Sequence, residues 1–176
     1  MPLRLTIPAL EFWDYEKQEF VTTKEKTITL EHSLYSVSKW ESKHHKPFIS
    51  KDPKTDEEVR DYIRCMTITQ NVDPNVYYAL GKEEISKINE YINDSMTATW
   101  FSNKPKPNRS IITSEIIYYQ MIQAGVPFEC EKWHLNRLLT LLRVCGEKSQ
   151  PPKKMSKKAI YEQNAALNRQ RRKMKK

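Results

Sequence analysis

Residues 113–145, TSEIIYYQMIQAGVPFECEKWHLNRLLTLLRVC, constrain the fold more than any other stretch. They are the most apolar part of a polar chain, and their punctuation predicts two helices joined by a tight corner. Ile116, Ile117, Tyr119, Gln120 and Met121 follow a start at Thr113 or Ser114. Glu115 sits in the first turn, where the helix dipole favours an acid. Gly125 permits a left-handed residue, and Pro127 cannot continue a helix. A second helix is expected from near Phe128, with Glu129 and Glu131 early, Arg143 late and a stop at Gly146. Trp133, Leu138, Leu141, Leu142 and Cys145 recur at helical spacing, and Leu135 and Leu139 widen that face. A helical hairpin this apolar needs a core to cover it, or a partner.

The segments before it supply a small sheet and further helices. LRLTI alternates apolar and polar residues, EFWD and EFVT flank a turn over DYEKQ, and KTITL is β-branched. Strands this short are marginal alone, so the sheet is expected to pack on the helices that follow. From Glu31 the period changes: Leu34, Val37 and Trp40 mark a helix that should stop before Pro47. Thr55 with Glu58 forms a capping box ahead of Val59, Tyr62, Ile63 and Met66. Asp73-Pro74 opens a short turn, and Glu83-Glu84 open a helix with Ile85, Ile88, Tyr91 and Ile92 on one face. MTATWF (96–101) reads as a short strand or an extended segment, and residues 103–109, NKPKPNR, as a loop. The expected fold class is α+β, mostly α. A small N-terminal antiparallel β meander (1–30) packs on a helical bundle (31–147), followed by a basic linker and helical tail (148–176). Pro151-Pro152 stiffens the linker, and Ser156 can cap the last helix.

Charge is divided unevenly. Residues 151–176 hold ten Lys or Arg and one Glu, a net +9, while the whole chain carries +8, so residues 1–150 net −1. The basic character belongs to the tail, which weakens the case for a dedicated nucleic-acid-binding fold. Lys153, Lys154, Lys157, Lys158, Arg169, Arg171 and Arg172 are the candidate polyanion contacts. The tail is read as a solvated end, as a polyanion contact, or as a helix that docks on an acidic protein.

Catalytic and metal-binding patterns are sparse. His44-His45 are adjacent and lack the i, i+4 spacing of helical metal ligands, so both are expected in a solvated loop. No CxxC occurs, and the odd, dispersed Cys65, Cys130 and Cys145 suit reduced thiols in a cytosolic protein. Cys130 and His134 stand at i, i+4, which admits a thiolate–imidazole pair, but Glu129 and Glu131 would raise a thiol pKa. A packed Cys beside a hydrogen-bonded His is the plainer alternative. With three glycines there is no Gly-rich phosphate loop. The expectation is a protein that is not an enzyme and has no cofactor or metal. No apolar run reaches the ~20 residues of a membrane span, and the N-terminus lacks the pattern of a secretory signal. Tyr62, Tyr77 and Tyr91 repeat on core faces, whereas Tyr118, Tyr119, Trp133, Leu138 and Leu142 are the candidate partner contacts.

SLYSVSKWESKHHKPF, TDEEVRDYIRCMT, TSEIIYYQMI, VPFECEKWHLNRLLTLL and KMSKKAIYEQNAALNRQRR resemble a small-protein family encoded in the tail-assembly region of tailed bacteriophages, the tail assembly chaperones. The likeness spans nearly the full length, and the β-rich N-terminus departs from the mostly helical chaperones. The resemblance implies a non-enzymatic protein of the host cytoplasm. Such a protein binds the tape measure protein and keeps that long helical chain soluble during tail morphogenesis. The alternatives are a virion structural or head–tail connector component, and a nucleic-acid-binding protein acting through its basic tail. Self-association stays open as a further partnership.

Overall fold

The computed structural model describes residues 1–14, 18–50, 52–101, 111–149 and 157–173. They divide into two units, Met1–Cys145 and Gly146–Lys176. The first unit is α+β and mostly helical, as the sequence predicts. Among the described residues no helix is long and apolar enough to cross a membrane. The loop expected over 103–109, the Pro151-Pro152 linker and the Ser156 cap lie outside the described residues.

Four strands open the chain: β1 (Leu3–Ile7), β2 (Leu10–Asp14), β3 (Glu19–Thr23) and β4 (Lys26–Leu30). The expected antiparallel meander takes a nested form. β2 pairs with β3, and β1 pairs with β4, with Leu5 opposite Ile28 and Leu3 opposite Leu30. Alternation sends Leu5, Ile7, Ile28 and Leu30 inward, into one core with the helices. Thr23 closes the inner hairpin: its hydroxyl donates to the Leu10 carbonyl and accepts the Leu10 amide, each at 3.1 Å. The free edge of β4 is taken by residues 67–69, where the Ile68 amide donates to the Thr29 carbonyl at 2.8 Å.

α1 (Leu34–His44) buries Leu34, Val37 and Trp40, and a left-handed His45 (φ 53°) ends it before Pro47. α2 (Asp56–Met66) begins at the predicted box. Thr55 Oγ1 accepts the Glu58 amide at 3.2 Å, and Glu58 Oε2 accepts the Thr55 amide at 2.9 Å. Tyr62, Ile63 and Met66 are buried and Val59 is half-buried. A 3-10 turn follows at Pro74–Ala79, then α3 (Lys82–Asn93), which buries Ile88 and Tyr91. Residues 96–101 form no strand, and Met96 adopts φ 50°.

Two local expectations are corrected. His44 is the last residue of α1 and is half-buried, while His45 is exposed. The His44 ring stacks on Trp40 with centroids 4.5 Å apart, and its Nε2 lies 2.7 Å from Asp61 Oδ2. Burial of Asp61 under two basic residues (Lys43 bonds its other oxygen) draws His44 out of solvent.

The second correction concerns the hairpin. α4 (Ser114–Gln123) starts as predicted, and Gly125 takes the expected left-handed turn at φ 66°. Residues 128–145, however, are not one helix. A 3-10 turn at Phe128–Lys132 ends in an extended Trp133, and α5 (Leu135–Ser149) starts afterwards and runs through Gly146. The break has a tertiary cause. His134 bridges to Ser33, and the Leu135 amide donates to the His32 carbonyl at 2.8 Å. A continuous helix would give the Leu135 amide an intrahelical partner instead. Gly146 does not stop α5 because it takes no left-handed φ.

Candidate partner-binding face

α4 is built from doublets: Ile116-Ile117, Tyr118-Tyr119 and Met121-Ile122. At 100° per residue, one member of such a pair points in and its neighbour points out. Ile117 and Met121 are fully buried. Ile116, Tyr119 and Ile122, at i, i+3 and i+6, are 39%, 61% and 58% exposed. A helix with apolar residues on opposite sides has one face covered by its own core and another uncovered.

The position of α4 is fixed at both ends. Thr113 makes no side-chain cap bond. Instead the buried Glu41 of α1 accepts the Ser114 amide on Oε2 and the Phe48 amide on Oε1, both at 2.7 Å. This carboxylate faces the positive end of the α4 dipole. At the other end the Val126 amide donates back to the Met121 carbonyl at 2.9 Å.

The 3-10 turn Phe128–Lys132 flanks the stripe. Tyr118 donates to Glu131 Oε2 at 2.7 Å and lies 6.2 Å, centroid to centroid, from the exposed Phe128 ring. Burial, then the Glu131 carboxylate, pushes the Tyr118 hydroxyl pKa up, and Tyr35 of α1 adds to the shift. Tyr35 is itself exposed.

The five predicted contacts separate accordingly. Tyr119 stands on the outward stripe and Tyr118 on its flank. Trp133 is half-buried beneath the Arg137 guanidinium, 4.1 Å from its ring centroid. Leu142 is half-buried against the core. Leu138 is 0% exposed and belongs to the interior, which corrects its assignment as a surface contact. The break at residues 133–134 resets the helical phase, so Leu135 and Leu138, at i and i+3, point inward together. Ile116, Ile122, Phe128 and Tyr35 were not predicted as contacts, although the α4 doublets carried the signal for the first two.

Beside this face lies a cleft of about 540 Å³ bordered by α1, the end of α2, residues 67–68 and Lys132. Its thiol, Cys65, is half-buried, and burial pushes its pKa up, away from the thiolate. Cys130 lies inside the 3-10 turn and His134 beyond it, so the two do not share a helix face. The His134 ring turns instead to the interior, where Nε2 donates to the Tyr91 carbonyl at 3.0 Å. Among the described residues no group of three or more His, Cys, Asp or Glu is placed to hold a metal ion.

The second unit contains α6 (Lys157–Lys173). Arg169 and Arg171 are exposed on it, as are Tyr161 and Leu167. Lys157, Lys158 and Arg172 fall within the helix, and Lys153 and Lys154 lie outside the described residues. Comparisons with protein-family models, with curated proteins and with solved structures find no match to this chain.

Proposed function

We propose that this protein is a non-enzymatic tail assembly chaperone of a tailed bacteriophage, binding the tape measure protein in the host cytoplasm during tail morphogenesis. The observation that carries the reading is the uncovered stripe Ile116, Tyr119 and Ile122 beside Phe128. Apolar residues at i and i+3 on a fixed helix suit a helical client laid along them. The resemblance of five segments to the phage family names that client. The concentration of positive charge in residues 151–176 favours, as a second reading, a polyanion contact through Arg169 and Arg171.

Co-expression with the large coiled-coil product of the neighbouring gene, followed by pull-down and size exclusion, tests the first reading. A soluble complex is expected. Tyr119→Asp with Ile122→Asp should weaken it about 100-fold, since each exposed side chain brings about 1.5–3 kcal/mol when fully buried. The double variant should keep its circular dichroism, because both positions are largely solvated already. A complex indifferent to both substitutions moves the client off α4. No complex at all, with the protein retained in finished particles, favours a virion component.

A further inference from the structure

The cleft beside the α4 face carries more chemistry than an apolar contact surface needs. Its volume, about 540 Å³, lies within the range of preformed ligand sites. Most of its polar lining is already committed to the protein itself. The Ser36 hydroxyl donates to the Ser33 carbonyl at 2.8 Å, and the Ser33 hydroxyl accepts the Ser36 amide at 3.2 Å. Glu31 Oε1 accepts the Tyr91 hydroxyl at 2.7 Å. Thr67 Oγ1 accepts from Tyr77 and donates to the Ile63 carbonyl, both at 2.8 Å.

Besides the half-buried Cys65 thiol, what remains for a visitor is two ammonium groups and an apolar wall. Lys39 and Lys132 both border the cleft and both are exposed. Neither has a carboxylate partner among the described residues, in contrast to Lys43 and Lys46, which are paired with Asp61 and Glu58. Lys39 lies over the Tyr35 ring, 4.3 Å from its centroid, which holds its charge at the mouth. Ile68 and Pro2, both exposed, supply the apolar side, above the buried Met66. Lys132 closes the 3-10 turn that flanks the α4 stripe, which sets the cleft beside that face.

We propose that this cleft anchors an acidic–apolar segment of a helical protein partner, a carboxylate side chain meeting Lys39 and Lys132 while an adjacent apolar side chain packs on Ile68 and Pro2. The inference rests on the client-binding reading of the α4 face and gives that client a chemistry: Asp or Glu spaced beside Leu, Ile or Val. The neutral-to-acidic balance of residues 1–150 makes this pair of unpaired lysines a local feature and not part of a general positive surface. Charge at the rim of a binding face governs partner choice and the rate of encounter.

The probe is a fluorescein-labelled heptad peptide of Leu and Glu, compared by anisotropy with a matched peptide bearing Lys at each Glu. The full-length protein is expected to bind the Leu/Glu peptide, and more weakly at about 0.5 M than at about 0.05 M NaCl. Lys39→Glu with Lys132→Glu should weaken that binding about tenfold or more and transfer preference to the Leu/Lys peptide. Both lysines are exposed, so the variant is expected to fold, with circular dichroism as the control. Ile68→Glu should weaken the Leu/Glu peptide without the transfer of preference. Binding of the Leu/Glu peptide that the double reversal leaves unchanged overturns the inference, as does no binding of either peptide. The client reading is decided separately by the co-expression experiment: a complex that tolerates Lys39→Glu and Lys132→Glu but is lost in the Tyr119/Ile122 variant sinks the cleft and keeps the chaperone.

Discussion

Replacing Glu41 by Ala is expected to cost the first unit about 3–4 kcal/mol and to loosen α4 before anything else. The carboxylate is buried and accepts two backbone amides, those of Phe48 and Ser114, both at 2.7 Å. Hydrogen bonds to charged groups contribute about 1.5–3 kcal/mol each, and an amide left buried without a partner costs about 1–3 kcal/mol. For a domain whose whole stability is about 5–15 kcal/mol this is a large fraction. Glu41→Gln should fall between wild type and Ala. Its amide keeps one acceptor oxygen, and its nitrogen meets the second backbone N–H as donor against donor. Urea unfolding gives the free energies, and hydrogen exchange locates the loss. The amides at the start of α4 should exchange faster in Glu41→Ala while those of α2 stay protected. A loss under about 1 kcal/mol would mean that water replaces the carboxylate and that packing alone positions the helix. Because the outward stripe rides on α4, Glu41→Ala should also weaken the partner complex without touching a contact residue.

The elements legible in the sequence are those whose cause is local. The Thr55–Glu58 box and the Tyr62, Ile63, Met66 face lie within a few residues of each other, and the structure reproduces both. The Leu34, Val37, Trp40 face and the β2–β3 hairpin are equally local. What was illegible depends on groups far apart in the chain. The interruption before α5 exists because His134 and Leu135 take partners near His32 and Ser33, and no spacing within residues 128–145 records that. Leu138 was misplaced for the same reason, since its direction follows from where α5 begins. The nested pairing of β1 with β4 requires knowing that residues 67–69 occupy the other edge of β4. Glu41 reads as one more polar residue near a helix end, although it holds α4. The cleft assembles from segments spread between Pro2 and Lys132 and has no motif at all. The α4 doublets were the exception: a site signal that is local, and that the inward reading of apolar residues passed over.

The second large effect is acid sensitivity well above the carboxylate range. His32 and His134 are both buried, their ring centroids 5.1 Å apart in an edge-on arrangement. His32 shares a 2.5 Å hydrogen bond between Nδ1 and the Tyr62 hydroxyl. Burial, and then the neighbouring His134, pulls the His32 pKa down to about 3. Burial also lowers the His134 pKa, against the opposing pull of the Tyr91 carbonyl. The His134 Nε2 proton goes to that carbonyl, so a second proton must sit on Nδ1, which has no hydrogen-bond partner among the described residues. The sign follows directly. The unfolded chain takes up protons as the pH falls through about 6.5, while the folded chain refuses them, so stability is fully present above that value and declines below it. The slope is about 1.4 kcal/mol per pH unit for each histidine held neutral, so His32 alone removes about 2 kcal/mol between about pH 7 and pH 5. His134 adds to the loss in the same direction. Asp61 acts lower on the scale. Burial raises its pKa, but the bonds from Lys43 and His44 outweigh this, so its contribution is lost as the pH falls from the ordinary carboxylate value down through the lowered one. His32→Asn is the discriminating variant. Its side-chain amide reaches toward the Tyr62 hydroxyl as Nδ1 does and carries no titrating proton, so urea midpoints should fall much less steeply from about pH 7 to pH 5 than in wild type. Parallel declines in the two proteins would place the acid sensitivity outside the His32–His134 pair, and the buried rings would then be ordinary packing that water reaches as easily as protons do.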